Sequence, residues 1–360
     1  MRRISLSLVA AVLFVGGGYA LLHDDPPSDA ERIEEATRKL ATIPLPSVGL
    51  GEAGPPQAVT DGWKTNFANR LVPLEEFQPG GPGKDGIPAI DAPRFAPASE
   101  IRFLRPQEPV VELIVGGQAR AYPLQILVWH EIVNDEIAGV PVAVTFCPLC
   151  NTAIAFDRRA GSKTFDFGVS GNLRNSDLVM YDRQTESWWQ QFGGLALVGD
   201  LAGARLRKLP ARIVAWTAFR AEHPNGLVLT RATGHPRSYG ANPYPGYDDV
   251  ASPPYFHARN SGDDRLPAKE RVVFLEHGGE AAAVPYSTLA RRPVVPVRLG
   301  GATYVVRASG LVASPLDDTS VAGGREILSV DVRVDGKAAT FEEPFWFAVA
   351  AFRPDTRIVR

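Results

Sequence analysis

The sequence predicts an α+β fold, rich in β, built as two similar half-domains from an internal duplication and packed as one compact unit. Three observations predict it. Glycine (34) and proline (31) are frequent enough to demand many turns between short strands. Apolar runs such as VPVAVTF at 140–146 have the length and β-branched content of buried strands. Two ordered pairs of segments also echo one another along the chain. Val110–Leu124 aligns with Val272–Tyr286 without a gap, each reading as strand, Gly-Gly hairpin turn, strand and Pro-started helix. Trp216–Leu229 aligns with Trp346–Val359, each a short helix stopped by proline and continued by a strand.

Taken in order, the chain opens on a targeting segment. Arg2 and Arg3 precede an apolar stretch from Ile4 to Val15, and Gly18-Tyr19-Ala20 closes it with small residues. Residues 1–22 read as a signal peptide, or as an uncleaved N-terminal membrane anchor if the apolar span runs to Leu22. Either reading places the body in the periplasm or otherwise outside the cytoplasm. Residues 23–94 read as linker and turn-rich extension, with a short amphipathic helix over 30–40 and an exposed loop over Gln78–Gly86. The regular fold is expected to begin near Phe95, with 95–265 as the first half-domain and 266–360 as a second, shorter one. Within the first, Leu124–Asn134 has helical apolar spacing, whereas 152–157, 163–170, 178–181 and 187–191 read as strands. The extra length of the first half surrounds the only two cysteines, which is where chemistry is expected.

A net charge of −2 without any basic run gives no reason to expect nucleic acid. Partners are otherwise unspecified, and membrane attachment is expected through the N-terminal segment alone. There is no Gly-rich phosphate loop, Gly-x-Ser-x-Gly or His-Glu-x-x-His, hence no nucleotide or flavin signature and no familiar hydrolase motif.

The pair Cys147-Pro148-Leu149-Cys150 carries the chemistry. In an oxidising compartment it is a disulfide, a redox couple or a soft-metal site. Cys147 follows a strand, and Pro148 suits the first turn of a helix; a thiol at a helix N-terminus is favoured as thiolate. A static bridge across so short a loop stabilises by only about 2 kcal/mol. A thioredoxin-like site needs a long helix after the pair, and here a turn at 157–161 interrupts. Copper or zinc would need ligands beyond Cys147 and Cys150. The candidates are His130, on the preceding helix, and Met180, the only methionine besides the initiator. Arg174, Asn175, Ser176 and Asp177 offer donors and acceptors in one tight loop, with Trp189 and Gln190 as further binding-site walls. The Pro- and Tyr-rich stretch Asn242–Tyr255 is long enough to cover a site. The expected function is soft-metal binding or thiol redox chemistry outside the cytoplasm, with Cys147 and Cys150 as the catalytic thiols. The competing reading is a non-catalytic carbohydrate- or peptide-binding envelope module with a structural disulfide.

Several stretches resemble a family of exported bacterial and archaeal proteins known as domain of unknown function 3179. They are YPL at 122–124, WHEIVND at 129–135, VTFCPLCNTAIAFD at 144–157 and SGNLRNSDLVMYDRQTESWWQ at 170–190. His223-Pro224, Asn242-Pro243-Tyr244 and FWFAVAAFRPDT at 345–356 extend the likeness over most of 100–360. The resemblance brings no established activity. It implies that Cys147 matters more than Cys150, because many members of that family keep the first Cys-Pro-Leu but not always the second cysteine.

Overall fold

The computed structural model describes residues 57–360. The targeting segment and the helix expected over 30–40 lie outside the described residues. The fold grows from tight hairpins. Gly116 and Gly117 both have positive φ (56° and 78°), which a two-residue type I′ turn demands. Pro109–Val115 therefore folds straight back on Gln118–Pro123, with Val115 opposite Gln118.

Hairpins of this kind assemble five sheets of three or more strands among the described residues, besides the two-stranded ribbon of Arg159–Ala160 and Lys163–Thr164. One contains Phe77–Pro79, Phe167–Arg174, Asp177–Asp182, Trp188–Gln190 and Leu195–Val198, each paired with the next. A second contains Arg207–Leu209, Thr152–Asp157, Val140–Cys147 and Ile132–Ile137 in that spatial order. The third places Pro109–Val115 and Gln118–Pro123 between Ala211–Ala215 and the pair Leu227–Leu229 and Phe95–Pro97. Val294–Leu299, Ala302–Ala313, Glu326–Val334 and Lys337–Ala338 make the fourth. Val272–His277, Glu280–Pro285 and Arg357–Ile358 make the fifth. The sheets stand as the blades of a five-bladed β-propeller. Phe192 of the first blade stacks on Phe352 (4.9 Å) and packs on Phe274 (5.4 Å) of the fifth, joining first to last.

This corrects the α+β, two-half-domain expectation. Strands take 42% of the described residues and helices 13%, and none of the described helices forms a layer of its own. The aligned segments do adopt like structures: Leu227 pairs in parallel with Arg120, and Arg357 pairs in parallel with Ala282. The likeness is between two blades out of five, so it does not divide the chain in two. The core is shared as well, since Val312, Leu316, Val321, Phe345 and Phe347 pack with Val144, Phe146 and Met180 in one cluster. The regular fold also begins before Phe95, because Phe77–Pro79 pairs with Phe167–Arg174. The loop over 78–86 is largely exposed as expected, but it presses on Gly171. There a Cβ would come within 2.3 Å of the Pro82 carbonyl oxygen, so only glycine fits.

Candidate functional site

Cys147 pairs with Thr152 across the end of a hairpin, and Pro148–Asn151 form its turn, closed by Asn151 at φ 58°. The thiol is therefore at a hairpin tip and not at a helix N-terminus, which corrects the expectation of a lowered thiol pKa. Both cysteines are free thiols, 1% and 0% exposed. Burial pushes the Cys147 thiol up, with Asp177 and Glu131 adding to it, and pushes Cys150 up further. At neutral pH both hold their protons, and any chemistry at sulfur needs a base.

A base is present. The neighbouring blade turns at Asn175-Ser176, with φ 54° and 58°, and Arg174 pairs with Asp177. This turn delivers Asp177, fully buried, to the cysteine hairpin. The Cys150 thiol donates to Asp177 Oδ1 at 2.9 Å, and the Phe192 amide donates to Oδ2 at 2.9 Å. Gln190 Nε2 also donates to Oδ2. Burial raises the Asp177 carboxyl above the usual range, and these hydrogen bonds pull it part of the way back. Cys147 Sγ, Cys150 Sγ and an Asp177 oxygen all lie within 4.8 Å of one another.

The rest of the network fixes these groups. Arg174 donates to Gln190 Oε1 at 3.2 Å and is held by Glu76 at 2.6 Å. Cys150 Sγ also lies 2.8 Å from Thr152 Oγ1. That hydroxyl donates to Gln191 Oε1 at 2.7 Å, and Gln191 donates in turn to Thr145 Oγ1 at 2.9 Å. Cys150 is thus the tightly held thiol of the two. From the loop expected to cover a site, Tyr247 reaches the hairpin and donates to the Leu149 carbonyl at 2.8 Å. Buried Lys269 holds Tyr247 there, its ammonium 3.6 Å from the ring centroid.

Sequence reasoning missed Glu131. The helix expected over 124–134 stops at His130, because Glu131 takes φ 58° and ψ −30° and the chain leaves as the strand Ile132–Ile137. Its amide donates to the Leu127 carbonyl at 2.7 Å, and its own carbonyl accepts from the Phe146 amide at 2.8 Å. The residue is 7% exposed, and burial, with the nearby Asp177, pushes its carboxyl up to about 8. The available signal was an acid inside an otherwise apolar run just before the β-branched pair Ile132-Val133.

The structure separates the other expected ligands from the sulfurs. His130 Nδ1 bonds the Pro88 carbonyl at 2.7 Å, and Nε2 bonds the Tyr239 hydroxyl at 2.6 Å. With both nitrogens engaged, His130 has none for a metal. Met180 is core, opposite Val169 and Trp189. Trp188 and Trp189 face different cores as strand alternation requires, but both are fully buried, so neither is a ligand platform. Gln190 bonds Asp177, and Arg174 bonds Gln190. Ser176 Oγ and Asn175 Nδ2 are buried without a hydrogen-bond partner among the described residues. A second acidic cluster, Glu112, Glu222 and His223, is neutralised by Arg212 at 2.6 Å from both carboxylates, which makes it an ion-pair network.

His130 carries a stability prediction. Burial, with His235 and Arg237 nearby, lowers its pKa from 6.5 to about 4. A depressed folded-state pKa gives stability that is present above pH 6.5 and lost as pH falls toward 4. The loss is at most about 3 kcal/mol. Buried Glu131 and Glu343, raised to about 8 and about 7, shift stability the other way over the same range. The His130 share is therefore read by difference: on going from pH 7.5 to 4.5 the parent is expected to lose more, or gain less, stability to urea than His130→Gln.

The fold and site together define a five-bladed propeller with a buried dithiol and carboxylate where two blade hairpins meet. Residues 84–356 match the family model described as protein of unknown function (DUF3179), and the chain belongs to that family. No curated protein and no solved structure matches the chain.

Proposed function

We propose that Cys147 and Cys150 form a dithiol–disulfide couple, with Asp177 as the base that deprotonates Cys150. The observation that carries this reading is the Cys150 to Asp177 hydrogen bond at 2.9 Å, in a buried setting that raises that carboxyl above its usual range. The closeness of the two sulfurs supports it further, as does the unequal grip on them. Cys150 is held by two short contacts and suits the resolving role, which leaves Cys147 as the sulfur that meets the substrate. The N-terminal segment supports an oxidising compartment outside the cytoplasm as the place of action. In a Cys150→Ser variant, oxidation is expected to trap Cys147 as a mixed disulfide with an added small thiol, read by intact mass. An intramolecular bridge is expected in the parent protein; absence of both species counts against the couple.

A second reading is favoured by the three donors within 4.8 Å. Two thiolates and a carboxylate suit zinc better than copper once His130 and Met180 are excluded. Metal analysis of protein purified under reducing conditions separates the two readings. Stoichiometric zinc, lost in Cys147→Ser, favours the metal site over the redox couple.

A further inference from the structure

Between the strands Leu227–Leu229 and Val272–His277 the chain forms no helix or strand, yet it is bonded to both turns of the dithiol site. Loops of that length are commonly lids or binding loops. On the cysteine turn, the Tyr247 hydroxyl donates to the Leu149 carbonyl at 2.8 Å. On the Asp177 turn, the Arg259 amide donates to Asn175 Oδ1 at 3.0 Å. From Asp249 to Ala258 the main chain bonds the rest of the fold, among the described residues, only where the His257 carbonyl accepts from Gln78 at 3.1 Å. Asp248 is different. It is buried, with Arg271 at 2.8 Å and Arg325 at 2.9 Å, and so forms a fixed end.

We infer that residues 249–260 are a lid over Cys147 and Cys150, latched by Tyr247 on one turn and by Arg259 on the other. The inference rests on the dithiol reading above and gives that site its regulation. Cys147 and Cys150 are 1% and 0% exposed, so a partner sulfur does not reach them while the lid is closed. Tyr255, itself 61% exposed, caps the Tyr247 ring edge to face at 4.3 Å. Lifting 249–260 about Asp248 takes Tyr255 off that ring and frees Tyr247 to turn away from Leu149.

The closed state leaves polar groups beneath the lid unsatisfied. Ser176 Oγ and Asn175 Nδ2 are buried there without a hydrogen-bond partner among the described residues. A buried polar group left unpaired costs the hydration it has lost. Water admitted by an open lid pairs both groups, which offsets the Tyr247 and Arg259 bonds that opening breaks. That narrows the gap between the closed and open states. The rate at which Cys147 meets a substrate is then its intrinsic rate multiplied by the open fraction.

The test is alkylation of the reduced full-length protein by iodoacetamide, in native buffer with a chelator, followed by intact mass. Tyr247→Phe removes the latching hydroxyl and keeps the ring, and is expected to speed alkylation ~3–10-fold. Tyr255→Ala removes the cap and is expected to speed it ~2–10-fold. Tyr255 lies at the surface, so its variant serves even where Tyr247→Phe does not fold. In the parent the rate is expected to rise with urea far less steeply than global unfolding does, because an opening lid exposes little surface. Alkylation unchanged in the folded variants overturns the lid, and so does a parent rate that follows the slope of global unfolding. Diamide, a small thiol oxidant, reads the other claim. If it forms no Cys147–Cys150 bridge even in Tyr255→Ala, the dithiol reading is overturned, whereas alkylation needs no redox chemistry and reports on the lid separately.

Discussion

Asp177→Asn is expected to slow formation of the Cys147–Cys150 disulfide by ~10²–10⁴-fold, the usual contribution of a positioned base. The asparagine keeps the shape and an oxygen for the Phe192 amide, so the hairpin contact survives. What it removes is the only carboxylate bonded to the Cys150 thiol among the described residues. Because burial raises the Cys150 thiol well above its ordinary range, little thiolate forms without that acceptor. Keeping its oxygen on the Phe192 amide turns the asparagine NH₂ toward the Cys150 thiol, replacing an acceptor by a donor in a buried site at a cost of about 1–3 kcal/mol. Stopped-flow oxidation and urea unfolding on the same variant separate the two effects. A rate equal to the parent's would remove Asp177 from the chemistry.

Trp189→Ala is expected to destabilise the fold by about 3–5 kcal/mol, the usual range for a buried tryptophan. The indole is fully buried, meets Phe167 edge to face at 5.6 Å and donates from Nε1 to Asp182 Oδ2 at 2.9 Å. Truncation leaves a cavity in the largest core and removes one of the hydrogen bonds to Asp182 Oδ2, which Thr185 Oγ1 also meets at 3.0 Å. Chemical denaturation measures the loss. A small loss accompanied by weakened sugar or peptide binding would restore Trp189 as a ligand platform.

Local features of this chain were legible in its sequence. The strands at 140–147 and 152–157, the Gly-Gly hairpins and the polar turn at 174–177 follow from period, turn chemistry and composition over a few residues. The cysteine pair and Asp177 were singled out on chemistry alone, and the structure brings them together. Long-range pairing was not legible. Nothing in Phe77–Pro79 indicates that it pairs with 167–174, and nothing local indicates five blades. The run LQILVWHEIVN fits a helix and a strand about equally well, and tertiary pairing of Ile132–Ile137 with Val140–Cys147 decides where it changes. That switch at Glu131 is what made the acid beside the sulfurs invisible. His130 and Met180 were plausible ligands by residue type, but hydrogen bonding and packing, which no spacing encodes, assign them elsewhere.

A working couple of two thiols exchanges with a redox buffer, whereas a structural bridge does not. Equilibration of the full-length protein in glutathione buffers, with the fraction of bridged protein read by mass, tests the couple most directly. A reduction potential of about −180 to −270 mV is expected, within the range of exchange-active dithiols. A potential below about −300 mV, that of a structural staple, or no bridge at any ratio would contradict it.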